Sequence, residues 1–291
     1  MIEHRQNWQA QAIALHNTGT MSWRDISRTL NVPKSTLSDF LRAYVSVLEK
    51  AAGDEGAEVA KVTLSDTDHD NSRILVVSDL HAPYSHPNTI PFLKSLIEKY
   101  KPTQVISVGD EQDIHANSFH VPDPDLMSAG DELKAARRFL GELYGLIPKM
   151  DILSSNHGDL FYRKAKHHGI PLHVMKSYND VLGVGHGWTW HNELVVDLPD
   201  GKKVYFCHGK SQNGLKLSQN MGMSCVQGHY HNSFNIQYWS SPLELHWSMQ
   251  VGCLVDDKSL AMAYNKLTVN RPIIGCGLII NGVPVLEAME L

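Results

Sequence analysis

Two histidines stand one residue apart in the stretch "QGHYHN", residues 227–232. Residues i and i+2 of a β-strand point to the same side of a sheet, so His229 and His231 can face one point in space. Imidazole nitrogens are frequent ligands of metal ions in proteins. The spacing therefore indicates part of a metal site, and further ligands should follow other strands of the same fold.

Candidate ligands also follow four other apolar segments of the chain. "RILVVSDLH" and "TQVISVGDEQD", for example, are apolar runs of strand length that end in carboxylate or imidazole residues. The candidates offer carboxylate, imidazole and amide groups but no thiolate, which suits Mn, Zn, Fe or Co and argues against a cysteine-rich structural zinc site. Their number exceeds the needs of one ion, so we expect two ions that share a carboxylate. In chain order the candidates are Asp79, His81, Asp110, Asp113, Asn156, His157, His208, His229 and His231.

The order of these elements resembles that of the calcineurin-like metallophosphoesterases. That family carries DxH, then GDxxD or GDxxN, then GNHD or GNHE, a lone His, and GHxH. The chain departs from this pattern at Ser155, which replaces a glycine, and at Asp159, which comes one position late. The resemblance covers about residues 73–255. The matching elements are "DLH" (79–81), "GDEQD" (109–113), "SNHGD" (155–159), "CHG" (207–209) and "GHYH" (228–231).

The resemblance implies a role for each candidate. Two divalent ions, with Mn²⁺ expected first and Zn²⁺, Fe²⁺, Co²⁺ or Ni²⁺ as alternatives, would activate a bridging water for in-line attack at phosphorus. His157 would lie near the leaving group as an acid or charge stabiliser, and Asp113 would orient its neighbours. The first ion would be held by Asp79, His81, Asp110 and His231. The second would be held by Asp110, Asn156, His208 and His229.

Composition and length place the chain among ordinary globular proteins. It has 291 residues, of which 42% are hydrophobic and 20% charged, and its net charge is -5. None of the four cysteines forms a CxxC pair, so we expect reduced, buried thiols in a cytoplasm. No apolar run approaches the roughly 20 residues that span a bilayer, and the first ten residues lack the apolar region of a signal peptide. We therefore expect a cytoplasmic protein with no membrane partner.

The candidate residues need a scaffold of strands to bring them together. From Arg73 onward, apolar strands alternate with helical patterns, which predicts a sheet with ligands at the carboxyl ends of its strands. In the later half, residues 188–210 are expected to form one hairpin that turns at Asp200-Gly201, and a second hairpin turns at Asn281-Gly282. Further strands are expected in "MSCVQGHYH" and "HWSMQVGCL". The expected fold class is α/β, a two-sheet metallophosphoesterase sandwich flanked by helices. This domain would cover residues 73–291.

The segment before this domain divides into two parts. Residues 1–47 carry five Lys/Arg and three Asp/Glu, whereas residues 48–72 carry two and seven and no aromatic residue. The second composition predicts an acidic flexible linker. Within the first part, "SWRDISRTLNVPKSTLSDFLR" resembles a helix-turn-helix of the resolvase or sigma-factor type, so residues 1–47 would form a small all-α domain.

A helix-turn-helix implies contact with DNA. Its second helix enters the major groove and reads bases with its first residues, and side chains of the first helix reach phosphates. The alternative is a small helical bundle for protein contact or dimerisation. A single helix-turn-helix binds DNA weakly. We therefore expect either a homodimer or additional DNA contacts from the catalytic domain. The base-contact candidates are Lys34, Ser35, Thr36, Ser38 and Arg42, and the phosphate-contact candidates are Arg24 and Arg28.

Two further stretches lie beside the motifs. Residues 114–130 form a long, Pro-rich segment directly after Asp113 and are expected to form a wall of the site. Residues 161–169, "FYRKAKHHG", are locally basic. They would either accept a phosphate backbone or form a solvated helix face.

Three functions remain open from the sequence. The first is a metal-dependent phosphodiesterase that hydrolyses DNA, a pairing that resembles phage-encoded or prophage-encoded proteins and would then act in the cytoplasm of a bacterial host. The second keeps the enzyme but changes the substrate to a small phosphoester or a phosphoprotein. The third is a DNA-binding regulator with an inactive phosphoesterase domain, against which the intact ligand set argues.

Overall fold

The chain divides into two compact units, Met1–Glu58 and Val59–Leu291. The computed structural model describes residues 12, 15, 21–38, 41, 60–63, 72–118, 125–259 and 270–290.

The first unit contains helix α1, Trp23–Leu30. Ser22 caps this helix, because the Ser22 hydroxyl accepts a hydrogen bond from the Asp25 main-chain N–H at 3.3 Å. Asn31 ends the helix in the left-handed conformation, and residues 34–38 are helical again. The buried side chains of this unit form one apolar cluster, whose described core members are Ala12, Ile26, Leu37 and Leu41.

The second unit is built on two six-stranded sheets. The first sheet has the strand order β12-β11-β2-β3-β4-β5, and its strands β2 to β5 are parallel. Its strands are β2 (Arg73–Val77), β3 (Gln104–Ser107), β4 (Met150–Leu153), β5 (Trp188–His191), β11 (Gly275–Ile280) and β12 (Val283–Ala288).

The second sheet has the strand order β1-β6-β7-β8-β10-β9. Strands β7, β8 and β10 run parallel to one another, while β6 and β9 run antiparallel to their neighbours β7 and β10. Its strands are β1 (Ala60–Thr63), β6 (Leu194–Asp197), β7 (Lys203–Cys207), β8 (Ser224–Gln227), β9 (Phe234–Ser240) and β10 (Leu245–Val251).

Helices cover the outer faces of both sheets. The described helices of this unit are α2 (Thr89–Tyr100), α3 (Ala129–Leu146), α4 (Leu160–His167), α5 (Tyr178–Leu182) and α6 (Gly214–Met221). Side chains of α2, α3 and α5 pack with the first sheet, and Leu217 of α6 packs against Tyr205 and Cys225 of the second.

Alternate side chains of β2 pack on opposite faces of the first sheet. Ile74 and Val76 join the cluster between the two sheets, whereas Leu75 and Val77 join the cluster under the helices. The predicted α/β sandwich flanked by helices is therefore confirmed for this unit. The four cysteines are buried and unpaired.

Two strands differ from the sequence prediction. Residues 60–63, inside the segment expected to be a flexible linker, form β1 and pair in parallel with β6. The acidic composition around "AKVT" hid this short strand. The remainder of residues 48–71 lies outside the described residues.

The stretch from residue 188 to residue 207 was expected to be a single hairpin. Instead β5 pairs with β4 in the first sheet, and β6 pairs with β7 in the second. The chain therefore changes sheets at residues 192–193, although the turn at Asp200-Gly201 connects β6 and β7 as predicted. The Asn281-Gly282 hairpin is also confirmed, and both of its turn residues have positive φ, 49° and 82°.

Candidate metal centre

The candidate ligands lie on loops after strands β2, β3, β4, β7 and β8. Four of them have a left-handed backbone, with φ of 49° at Asp79, 47° at His81, 54° at Asp110 and 69° at His229. Non-glycine residues adopt this region seldom, with Asp and His overrepresented among them, and such outliers concentrate at functional sites. The sharp turn after each strand directs its ligand inward.

Two glycines allow these turns to approach one another. Gly109 has φ of 104°, and a Cβ there would lie 2.6 Å from the Cβ of Ser155. A Cβ at Gly228 would lie 2.5 Å from Oδ2 of Asp79 and would also collide with Ser78. Any side chain at these positions would push the loops apart.

A first group of ligand atoms comes from Asp79, His81 and His231, all within 4.8 Å of one another. His231 Nε2 lies 3.2 Å from Oδ1 of Asp79, and His81 Nε2 lies 3.8 Å from the same oxygen. The main-chain N–H of His229 donates to the other carboxylate oxygen, Asp79 Oδ2, at 2.9 Å. This bond leaves Oδ1 facing the two imidazoles.

A second group comes from Asp110, His208 and His229. His208 Nε2 lies 3.1 Å from Asp110 Oδ2, 3.1 Å from His229 Nδ1 and 2.7 Å from Asn156 Oδ1. Asp110 Oδ2 is also 3.6 Å from His81 Nε2. The Asp110 carboxylate therefore stands between the two groups, and the structure brings all seven predicted ligands together.

Further contacts fix the orientation of these ligands. His81 Nδ1 lies 2.6 Å from Asp113 Oδ1, and His208 Nδ1 donates to the Val108 carbonyl oxygen at 2.8 Å. Each imidazole thus turns its Nε2 toward the centre. The Ser155 hydroxyl accepts the main-chain N–H of Asp110 at 2.9 Å, a role that sequence reasoning missed because it treated Ser155 only as a departure from a pattern.

His157 lies at the solvent side of the same cluster. Its side chain is 30% exposed, and it forms a third group with His81 and Asp110. Its Nδ1 contacts the main-chain oxygen of Asp113, and its main-chain N–H donates to Asp110 Oδ1 at 3.1 Å. The imidazole is therefore held in place while part of it faces solvent.

Electrostatics favour charged carboxylates at the centre. Burial alone would raise the pKa of Asp79, but the hydrogen bond with His231 and the nearby His81 imidazole outweigh it and hold that pKa well below its usual range. Burial likewise opposes ionisation of Asp110, yet the charge of His208 and a hydrogen bond with it lower the Asp110 pKa. Both carboxylates are anionic near neutral pH.

The pKa values of His208 and His229 shift in opposite directions. Burial disfavours the cation of His208, but the Asp110 carboxylate overrides it and raises the His208 pKa to about 9. His229 has a lowered pKa because burial and the nearby His208 charge both disfavour its cation. A proton on His208 thus balances carboxylate charge in the protein alone, and a metal ion would displace that proton.

The residues present fit divalent ions. His81 Nε2 is buried and faces the oxygens of Asp79 and Asp110, yet it has no hydrogen-bond partner within the part of the chain that the structure describes. A buried polar atom without a partner is costly unless something else satisfies it. The nitrogen and oxygen donors around it are those that Mn, Zn, Fe and Co accept.

The centre opens into a cavity of about 370 Å³. Six of its lining residues are candidate ligands or His157. The others were not predicted as site residues, although Tyr230 stands between two predicted ligands and that position was the available signal. These additional lining residues are Tyr230, Asn232, Asn270 and Pro272.

The predicted DNA-contact residues lie in the first unit. Arg24 and Arg28 are exposed on α1, and Arg28 is 3.8 Å from Asp25. Arg42 lies outside the described residues. In the second helical segment, Lys34, Ser35 and Thr36 are exposed and Ser38 is partly buried.

The two stretches beside the motifs are partly described. Residues 115–117 form a short 3₁₀ turn next to Asp113, and residues 119–124 lie outside the described residues. The basic segment forms α4, and Lys164 Nζ donates to the Ser118 carbonyl oxygen at 3.0 Å. Arg163, Lys166 and the two following histidines are exposed.

Comparisons with known proteins returned structural likeness alone. No protein-family model matches the chain, and a search of curated proteins gave no match. One similar solved structure is a novel archaeal phosphodiesterase, with 14% identity over 75% of this chain and 99% of that chain and a TM-score of 0.42. Vacuolar protein sorting 29 from Cryptosporidium parvum has 13% identity over 76% and 98%, with a TM-score of 0.39. The Pseudomonas putida nuclease MPE has 13% identity over 74% and 87%, with a TM-score of 0.29.

These likenesses are too distant to assign an activity, which must be argued from the site itself. Across the residues that the structure describes, none of the helices combines the length and apolar character that crossing a bilayer requires.

Proposed function

We propose that this protein is a metal-dependent phosphodiesterase that hydrolyses DNA with two divalent ions. The observation that carries the proposal is the position of Asp110, whose Oδ2 lies 3.6 Å from His81 Nε2 and 3.1 Å from His208 Nε2. One carboxylate between two sets of nitrogen and oxygen donors is the arrangement that a pair of ions requires. Phosphoester hydrolysis is a reaction that such pairs catalyse.

Each of the two groups of ligand atoms would hold one ion. When bound, the ions would supply an activated water and neutralise charge on the phosphoryl oxygens, and Mn²⁺ is the ion we expect first. Asp110 would belong to both sets. The first set would also contain Asp79, His81 and His231, and the second would also contain Asn156, His208 and His229.

Other residues of the chain position groups and move protons. His157 lines the cavity and is partly exposed, so it can donate a proton to the oxygen that leaves phosphorus, or stabilise the charge there. Asp113 holds His81 through the 2.6 Å contact with Nδ1. His208 is held by the Val108 carbonyl oxygen in the same manner.

DNA is proposed as the substrate because of the first unit. Its described helical segments present cationic and hydroxyl side chains to solvent, namely Arg24, Arg28, Lys34, Ser35 and Thr36. These are groups that contact phosphates and base edges. Under this proposal residues 1–47 bind DNA as a helix-turn-helix, and residues 73–291 cut it.

The test is incubation of the Mn²⁺-loaded full chain with linear duplex, single-stranded and circular DNA, beside bis-p-nitrophenyl phosphate. Asp110→Asn and His157→Ala serve as inactive controls, and a chelator should abolish all activity. We expect DNA cleavage in the wild type that both variants lose. The circular substrate separates endonuclease from exonuclease action.

Each alternative function has its own outcome in this test. Hydrolysis of the small ester with every DNA left intact would replace the nuclease by an enzyme for small phosphoesters or phosphoproteins. Metal-dependent DNA binding with no hydrolysis of any substrate would instead indicate a regulator.

A further inference from the structure

One wall of the cavity over the metal centre contains no candidate ligand. It is formed by Tyr230, Asn232, Asn270 and Pro272. The wall offers an aromatic ring, two amides and a proline, and none of the four side chains carries a charge. It lines the same cavity as His157 and the candidate ligands, so a phosphodiester bound at the metal centre would have its flanking group near these residues.

The backbone of Tyr230 is fixed by hydrogen bonds, and its ring contacts a candidate ligand. Its main-chain N–H donates to the Gly228 carbonyl oxygen at 2.8 Å, and its carbonyl oxygen accepts the Ser233 N–H at 2.7 Å. The ring stands at 76° to the imidazole of His229, with centroids 4.9 Å apart. Tyr230 therefore contributes an aromatic ring to the lining of the cavity, beside the imidazole of His229.

The other half of the wall is attached to the same loop. The Ile273 N–H donates to the His231 carbonyl oxygen at 2.9 Å, and the Ile273 carbonyl oxygen accepts the Cys253 N–H at 3.1 Å. These bonds tie the segment after Pro272 to the His231 loop, and Pro272 and Asn270 line the same cavity as Tyr230. Asn232 and Asn270 are both exposed at the rim of the cavity.

We propose that this wall is a subsite for the nucleobase next to the scissile phosphate, an inference that rests on the proposed phosphodiesterase function. An aromatic ring fixed at the edge of the site is a stacking surface for a base. Amide side chains both donate and accept hydrogen bonds, so Asn232 and Asn270 match the polar edge of a base. A neutral wall offers little to a phosphorylated peptide that is recognised through its charge.

The test compares two esters that differ only by a base. One is the p-nitrophenyl ester of thymidine 5′-monophosphate, and the other is the same ester of abasic deoxyribose 5-phosphate. With the Mn²⁺-loaded full chain, we expect kcat/KM to be about 10- to 100-fold higher for the ester with the base. Tyr230→Ala should bring that ratio close to one, and Tyr230→Phe should keep it.

A matched control and a binding measurement complete the design. Tyr238→Ala changes an exposed tyrosine of β9 outside the cavity and should keep the wild-type ratio. Calorimetry with thymidine 5′-monophosphate and deoxyribose 5-phosphate should show the same preference for the base, again lost in Tyr230→Ala.

The possible failures are distinguishable. A wild-type ratio of one, or a Tyr230→Ala protein that loses both activities equally while keeping the ratio, would overturn the subsite and leave Tyr230 as a support for His229. If neither ester is hydrolysed and DNA also stays intact, the proposed function fails. Calorimetry then decides the subsite separately, and equal binding of the two phosphates would refute it.

Discussion

Single residues at this centre serve more than one neighbour. Asp113 accepts from His81 at 2.6 Å and also lies 3.6 Å from the imidazole of His157 through the same oxygen. Burial opposes its ionisation, but the hydrogen bond with His81 and the nearby imidazoles lower the Asp113 pKa. Asp113 is therefore an anion that orients the imidazole of His81, and this role does not require contact with a metal ion.

Asp113→Ala should weaken Mn²⁺ binding and kcat/KM by about 10- to 100-fold, because His81 loses the partner that orients it. Calorimetry and ester hydrolysis measure the two effects, and Asp113→Asn should recover part of each. Asp151→Ala is the matched control, since Asp151 lies 2.8 Å from His191 in a similar pair outside the centre. Equal losses in both alanine variants would contradict the assignment.

Glu111 is predicted to make stability depend on pH. Neither of its oxygens has a hydrogen-bond partner among the described residues, and burial raises the Glu111 pKa from 4.5 to about 7. Below the lower value, folded and unfolded chains both hold the proton. As the pH rises from the unfolded pKa toward the folded pKa, the unfolded chain loses the Glu111 proton first. The free energy of unfolding therefore falls by up to about 3 kcal/mol.

Glu111→Gln should remove this fall. Urea unfolding of wild type and variant in chelator, at about pH 5 and about pH 8, gives the comparison. The variant should gain stability relative to wild type at the higher pH. The same difference between the two proteins at both pH values would show that Glu111 ionises normally.

The sequence predicted the candidate metal ligands better than the residues that surround them. The seven candidate ligands that the family resemblance implies lie close together in the structure. The sequence did not predict the hydroxyl of Ser155 or the wall containing Asn270, because these contacts join segments far apart in the chain. No local spacing encodes which distant side chain fills the space beside a ligand.

At the scale of secondary-structure elements, turns determine where strands end. The Asn281-Gly282 turn has φ of 49° and 82°, and it sets the register in which Ile280 faces Val283. Such two-residue turns were predictable because Asn-Gly favours them. Strand β1 and the change of sheet at residues 192–193 were not, because a four-residue strand carries little periodicity and sheet membership depends on distant partners.

Gly282→Ala should lower the free energy of unfolding by about 1–2 kcal/mol, because alanine is strained in the left-handed region. A Cβ there would make only ordinary contacts, the nearest at 3.4 Å, so the cost is conformational. Gly141→Ala is the control, and its effect on the free energy of unfolding should have the opposite sign. Gly141 lies inside α3 with nothing near its Cβ position, and alanine should stabilise that helix by about 0.5–1 kcal/mol.

Urea denaturation curves measure both glycine variants. A Gly282→Ala protein as stable as the wild type would mean that the turn does not constrain the hairpin.

At the scale of the molecule, the chain joins two units of different composition. Met1–Glu58 has its own apolar cluster around Ile26 and Leu37, and Val59–Leu291 contains both sheets and the metal centre. Sequence composition separated these parts, but it placed the sandwich at residue 73 and missed the earlier strand β1. The proposed division of labour assigns DNA binding to the first unit.

Arg24→Ala and Arg28→Ala should each weaken binding of a mixed-sequence duplex and reduce the slope of log affinity against log salt by about 1, because each removes one phosphate contact. Fluorescence anisotropy over a salt series measures this slope. Lys94→Ala, on the exposed face of α2, is the control that should leave the slope unchanged. Slopes that match this control in both arginine variants would favour the helical bundle for protein contact.

The position of β2 between β3 and β11 has a consequence for biosynthesis. Leu75 of β2 faces Leu278 of β11, so the strand that leads to Asp79 and His81 is completed by a partner roughly two hundred residues later, a strongly non-local pairing. A ribosome synthesises β2 well before β11, so this pairing can form only after about two hundred further residues have been added. We expect the turn that carries Asp79 and His81 to reach its final position only after β11 has been synthesised.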